Sequence, residues 1–332
     1  MPSASRSFAR LFSILSVLVS AVGLAWFLAL ARFALSPVWA ATAAGLLILA
    51  LGVTAWKWRT PSARRVALPI LIVVGLTLLY AMTQPRNDRP WAADFGALPW
   101  GDVQGDEVTL HNYRNFAWKS ATEFTPRVET RTFPLSALRH VDFLMVYWSS
   151  PHICHTMVSF DFGAHGQVCI SVEARREVHE RYSPLAGAFR AYELTYEIGD
   201  ERDLVRLRTN FQPGNEVYLF RLNTTAEDAR RQFLGYLKSA NDIREHPEWY
   251  NTLTTNCTTT IRRHAQLEGG RFPLDWRVLL NGHADEYLYE LGRLAPGISF
   301  EELKRRSHIS PAAQAAPVEN FSQAIRAGRP GF

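Results

Sequence analysis

Three long apolar runs near the N-terminus, Leu11 to Ala31, Val38 to Trp56 and Val66 to Met82, constrain this 332-residue chain more than any other feature. Each is long enough to cross a hydrocarbon core of about 30 Å as a helix. Pro69 falls within the first turn of the third run, where a missing N–H costs little. Residues 1–85 carry seven basic side chains (Arg6, Arg10, Arg32, Lys57, Arg59, Arg64 and Arg65) and no acid. The remaining 247 residues carry 29 basic and 31 acidic groups, so the overall charge of +5 conceals a +7 segment followed by a −2 segment. The surplus needed to bind nucleic acid is therefore missing from the hydrophilic part, and nucleic acid is not an expected partner.

The basic residues also predict topology. Two precede the first run, one lies between the first and second, and four lie between the second and third. By the positive-inside rule the N-terminus and the second loop are cytoplasmic, and three crossings place Arg86 to Phe332 outside, in the periplasm of a bacterium. The first run also has the form of a signal peptide. Two further spans directly behind it favour an uncleaved inner-membrane anchor. No Asp, Glu or Lys interrupts the runs, which favours anchoring over ion transport.

Residues 86–105, rich in Pro, Gly, Trp and Asp, read as a linker, with Trp91 and Trp100 suited to the headgroup level. A domain over 106–309 and a loosely docked tail over 310–332 complete the expected organisation. Alternating or apolar runs predict strands at 107–113, 141–148, 153–160, 167–172, 192–198 and 216–222. Turn chemistry over Phe160 to Gln167 makes the third and fourth an antiparallel hairpin. Helices are expected after Thr225, from Cys257 to the Gly269-Gly270 stop, and over 284–291. Strands first and helices later predict an α+β fold.

The three cysteines are Cys154, Cys169 and Cys257. A hairpin register centred on Ala164 sets Cys154 near Ala174 rather than Cys169, which argues against a disulfide. Cys257 begins a helix after a polar lead, where orphan N–H groups and the helix dipole stabilise a thiolate. Among the ten histidines, His155 is held on a strand, where an imidazole keeps a fixed pose. No HxxxH, HxH or CxxC spacing suggests a metal, and no nucleotide or dinucleotide motif suggests a cofactor.

Five blocks then carry a resemblance: Cys154-His155-Thr156 to Phe160; Ile170-Ser171-Val172-Glu173-Ala174-Arg175-Arg176-Glu177; Tyr182-Ser183-Pro184-Leu185-Ala186-Gly187-Ala188-Phe189-Arg190; Asp200-Glu201-Arg202-Asp203; and Trp249-Tyr250-Asn251-Thr252-Leu253-Thr254-Thr255-Asn256-Cys257-Thr258-Thr259. Their order and spacing over about 110 residues resemble the Lnb N-terminal periplasmic domain family. The resemblance implies a permuted papain-like fold of the NlpC and lecithin:retinol acyltransferase type, in which the histidine strand precedes the cysteine helix. It also implies Cys257 as nucleophile, His155 as base and an acyl-thioester intermediate. A third group should orient the imidazole; Glu173 and Ser171 on the partner strand are the candidates, although Glu173 also suits pairing with Arg175 or Arg176. The Cys257 N–H and the Asn256 side chain are the expected oxyanion donors. The charged runs Arg175-Arg176-Glu177 and Glu201-Arg202-Asp203 suit ion pairs better than a headgroup site. The expected activity is that of an acyltransferase or hydrolase on membrane lipid or lipoprotein acyl groups. A cell-wall peptide amidase and a non-catalytic envelope scaffold are the alternatives. The namesake is a lipoprotein N-acyltransferase whose membrane part is expected to follow the domain, whereas here three spans precede it.

Overall fold

The computed structural model describes residues 22–23, 25–26, 45, 74–75, 77–78, 80–267, 272–273 and 275–332. The three expected spans, 11–31, 38–56 and 66–82, lie almost wholly outside the described residues. Among the described residues no helix is long and apolar enough to cross a membrane. The chain divides into two compact units, 1–85 with 183–191, and 86–182 with 192–332. Within the first, the Trp26 and Phe189 rings lie 5.0 Å apart and the Arg190 guanidinium sits 4.9 Å from the Tyr80 ring.

The second unit is α+β, as expected. Its strands are β1 (Trp100–Gln104), β2 (Glu107–Arg114), β3 (Ala117–Trp118), β4 (Phe124–Thr125), β5 (Val128–Pro134), β6 (His140–Tyr147), β7 (Cys154–Asp161), β8 (Gln167–Arg175), β9 (Glu193–Gly199) and β10 (Glu216–Arg221). The main sheet runs β1-β2-β9-β8-β7-β6-β10, with β5 also paired to β2 and β3-β4 forming a separate ribbon. Its pairs are antiparallel except for a single parallel bridge, Arg114 to Gly199. The helices are α1 (Glu201–Arg206), α2 (Ala226–Glu245), α3 (Cys257–Leu267), α4 (Ala284–Glu290), α5 (Phe300–Ser307), α6 (Ser310–Ala315) and α7 (Phe321–Ala324).

The central strands read as nearly continuous apolar runs because helices cover both faces of the sheet. On one face Leu144, Val146, Met157, Cys169, Val217 and Leu219 pack against Leu204 and Val205 of α1 and against Ile309, Ala313, Phe321 and Ile325. On the other, Phe160 meets Phe233 and Tyr236 of α2 at ring separations of 5.2 and 5.9 Å. Thr225 caps α2 by accepting from the Asp228 N–H, as its spacing suggested.

The ends of the domain differ from the sequence reading. The expected linker over 86–105 is folded: Trp91 lies under the Arg175 guanidinium at 4.0 Å, Trp100 stacks on His111 at 3.8 Å, and β1 occupies 100–104. Neither indole is free to rest among headgroups, because cation–π and stacking contacts claim them. The expected loose tail is docked, with Ala313, Phe321 and Ile325 fully buried. Arg326 reaches beneath the sheet to Asp142 (2.8 Å) and Glu201 (2.6 Å). Widely spaced apolar residues in an Ala- and Pro-rich segment conceal this docking in the sequence.

Candidate active site

The hairpin β7-β8 pairs from Asp161–Gln167 to Met157–Ser171, the register centred on Ala164. Continued by two residues, that register sets His155 across from Glu173, with Ser171 on the same face. Pairing in the ladder stops just before these positions, and the first turn of α3 packs there against both strands. Cys257 thus begins its helix at the mouth of a parted hairpin. Cys154 pairs across from Tyr147 and Cys169 across from Ser159, and both are free thiols, as is Cys257.

His155 Nε2 lies 2.7 Å from Ser171 Oγ and 3.1 Å from Glu173 Oε1, and Ser171 donates to Glu173 at 2.7 Å. A count of protons fixes the tautomer. The single Ser171 proton goes to the carboxylate, so Nε2 faces two acceptors and must carry hydrogen. Nδ1 is then the nitrogen left for Cys257, whose sulfur favours the protonated imidazole; that sulfur also lies 3.8 Å from Thr258 Oγ1 and 4.0 Å from Asn281 Nδ2. Glu173 is held in turn by Arg208, which donates to the same oxygen at 2.6 Å. Arg208 reaches it because α1 continues as a π-helical turn over Leu207–Phe211, a local rewinding that re-aims the side chain.

These contacts decide protonation. Burial opposes a charged imidazole, but the Glu173 carboxylate and the Cys257 sulfur outweigh it and raise His155 to about 10. Burial likewise opposes a thiolate at Cys257. The His155 charge and hydrogen bond, together with bonds from the Thr156 hydroxyl and N–H, hold this thiol at about 7. Glu173 is pushed far below the usual carboxylate range by His155 and Arg208, against its own burial. Cys154 and Cys169 move the other way, well above the usual thiol value, chiefly through burial. Burial and the His155 charge therefore separate one thiol that favours the thiolate from two that hold their protons.

Of the residues expected from sequence, Cys257, His155, Ser171 and Glu173 converge, and Asn256 takes another place. Its Oδ1 accepts from the Thr259 N–H at 2.9 Å, its own N–H donates to Thr259 Oγ1 at 2.9 Å, and its Nδ2 donates to Thr252 O at 2.6 Å. Asn256 is the N-cap of α3, and cap geometry ties its amide to the helix end rather than to an oxyanion. The charged runs are structural: Arg175 donates to Phe95 O, Arg176 pairs with Asp94, Glu201 with Arg326, and Asp203 with Arg114. Arg175 and Arg176 are thus engaged elsewhere, and the basic partner of Glu173 is Arg208.

Sequence reading missed three further features. Thr156 and Thr258 flank the dyad, and their hydroxyls lie 3.1 Å apart. Asn281 bonds Cys154 and Thr258 from a distant loop. Tyr182 and Tyr250 share a 3.2 Å hydroxyl contact, and both feel the charge on Cys257. Tyr182 and Tyr250 open or sit within two of the quoted blocks, so their grouping was the one available signal.

This arrangement lies within a segment, residues 124–282, that matches the family model of the Lnb N-terminal periplasmic domain. Residues 124–282 are an Lnb N-terminal periplasmic domain. No curated protein and no solved structure matches the chain. The Lnb domain begins at β4 and ends at Gly282, so it includes the whole dyad and the Asn281 loop. The family places this C-terminal region in the periplasm. Among the described residues no group of three or more His, Cys, Asp or Glu side chains forms a metal-binding cluster.

Proposed function

We propose that this periplasmic domain is a cysteine acyltransferase or hydrolase that works through an acyl-thioester on Cys257, acting on lipid or lipoprotein acyl groups. The observation that carries the reading is the His155 imidazole, bonded to Ser171 and Glu173 and raised in its hold on a proton by both Glu173 and Cys257. In the first step the thiolate attacks the acyl carbonyl carbon. The bond to the leaving alcohol or amine breaks, and that group takes the imidazolium proton. In the second step His155 accepts a proton from an incoming amine or water, which attacks the thioester and returns the thiolate. An entering amine makes the enzyme a transferase, and entering water makes it a hydrolase. The Cys257 N–H, among the N–H groups of a helix start that have no intrahelical partner, suits the developing oxyanion. The Tyr250 hydroxyl, buried beside Cys257 and holding its proton above the usual phenol value, takes the place first given to Asn256.

A lipid substrate is supported by the three apolar runs upstream, which as membrane spans would hold the domain at the bilayer surface. The test is incubation with a long-chain acyl ester, followed by mass spectrometry of the Cys257 peptide. The wild-type chain is expected to carry the acyl mass there, and Cys257→Ser and His155→Ala are expected to carry none. Absence of acylation in the wild type under all substrate classes tried, including phospholipid and muropeptide, would leave a scaffold as the better reading. Comparing lipoprotein N-termini from cells with and without the gene identifies the acceptor.

A further inference from the structure

Three loops meet at the Cys257 end of the sheet, and each holds apolar side chains in solvent. Trp148 and Ile153 stand just beyond Tyr147 and Cys154, the last pair of β6 and β7. Leu253 sits in a turn whose Asn251 side chain accepts from the Leu253 and Thr254 N–H groups. Trp276, Leu279 and Leu280 lie on and just after a short helical turn that leads to Asn281. These six residues are 40–61 % exposed, a cluster that forfeits burial energy unless something covers it. The loops are fastened to one another and to the dyad. Ring nitrogens of His152 and His283 lie 3.0 Å apart, Gly282 N donates to His152 O at 3.0 Å, and the Trp276 ring is 5.3 Å from that of His283. A Cβ at Gly282 would lie 2.2 Å from Pro151 O, so only glycine lets the first and third loops touch. Asn281 bonds Cys154, next to His155, and Thr258, next to Cys257. The Leu253 turn joins the start of the same helix, α3, through Asn256 Nδ2, which donates to Thr252 O at 2.6 Å.

The chemistry of this rim names its occupant. Residues 148–154, 250–260 and 276–284 hold one residue of the Asp, Glu, Lys and Arg types, Arg277, where the chain average of 20 % would place about five. Arg277 is itself paired, with Asp275 at 3.0 Å and Glu290 at 2.7 Å. A partner protein is steered and registered by complementary charge around an apolar centre, and the rim offers none. A bilayer surface takes a different set: indoles at the headgroup level, aliphatic side chains deeper, and hydroxyls and amides among water and lipid carbonyls. Trp148 and Trp276, the four aliphatic residues, and the Ser, Thr and Asn residues between them match that set. The chain also brings a bilayer within reach, since its three upstream apolar runs read as membrane spans. We propose that the rim docks by apolar insertion on the periplasmic face of the lipid bilayer, so that Cys257 takes its acyl group from a lipid still seated in the membrane. This deepens the reading of Cys257 as acyl acceptor and rests on it.

The test uses the full chain in phosphatidylcholine vesicles, with Cys257→Ser to clear the reactive thiol. One surface cysteine is then introduced by Leu253→Cys, Leu279→Cys or Val318→Cys and labelled with a nitrobenzoxadiazole fluorophore; Cys154 and Cys169 are buried and stay unlabelled. Val318 is also exposed but stands between α6 and α7, outside the three loops. Lipid brominated along its acyl chains is expected to quench the label at 253 and at 279 by about twofold, as for a group sunk about 5–10 Å into the headgroup and acyl boundary. The label at 318 is expected to stay unquenched. Adding phosphatidylglycerol or raising the salt is expected to change nothing, because the loops have no unpaired Lys or Arg to be drawn to anionic lipid. Absence of quenching at either 253 or 279, equal quenching at 318, or quenching that needs phosphatidylglycerol overturns the proposal. Quenching is read without acylation. A rim that inserts in a chain never acylated on Cys257 therefore leaves the docking in place and removes only the enzymatic reading.

Discussion

Glu173 stands 3.1 Å from His155 across two strands of a hairpin, and the same carboxylate oxygen accepts from Ser171 and Arg208. Its negative charge is the largest influence sustaining the imidazolium against burial. Glu173→Gln keeps the shape and removes the charge, so His155 gives up its proton at lower pH and the Cys257 thiol gives up its own at higher pH. Acylation at neutral pH should fall by about 10²–10⁴-fold. Single-turnover acylation measures this, and a loss smaller than about threefold would show that Ser171 alone orients the ring.

The sign of the pH dependence follows from the two directions. Cys257 is held down at about 7 and His155 is raised to about 10. Below the lower value the thiol keeps its proton and does not attack. Between the two the thiolate and imidazolium coexist, and above the upper value no proton remains for the leaving group. Acylation should therefore rise through about pH 7 and fall through about pH 10, whereas alkylation, which needs no acid, should rise and stay high. A falling alkaline limb in the alkylation profile would contradict this assignment.

Arg326 is the sole link described between the C-terminal segment and two fully buried carboxylates, Asp142 and Glu201. Removing one member of such a cluster leaves charge uncompensated in the interior. Arg326→Ala should lower stability by about 3–5 kcal/mol, read by urea unfolding. A change below about 1 kcal/mol would mean that Arg221 and Ser159 already satisfy those groups.

Three free thiols are expected in the oxidising periplasm, because the hairpin register keeps Cys154 and Cys169 apart. Titration of the denatured, unreduced protein should give three thiols. One thiol would show a bridge and a different register.

Much of the site was legible in local sequence. Cys257 follows a polar lead that reads as a helix start, and His155, Ser171 and Glu173 fall on two strands joined by evident turn chemistry, so a period of two and a register centred on Ala164 already put them together. Arg208 was not legible, because its aim depends on a π-helical turn with no pattern of its own. Asn256 was misjudged as an oxyanion donor because a residue beside a nucleophile serves either the helix end or the substrate, and only the bonds to Thr252 and Thr259 decide between them.

By itself the sequence determined the acid-free apolar N-terminus, the α+β order of elements and the grouping of His155, Ser171 and Glu173 on one hairpin, because charge count, periodicity and hairpin register are local properties. Tertiary structure decided what those properties leave open. It docked the linker and the tail onto the sheet, turned Arg208 toward Glu173, and brought Asn281 from a loop 127 residues beyond Cys154 to bond the chain neighbours of His155 and Cys257. Long-range hydrogen bonds between buried polar groups cost little only when the whole fold has excluded water around them, and no short stretch of sequence records that condition.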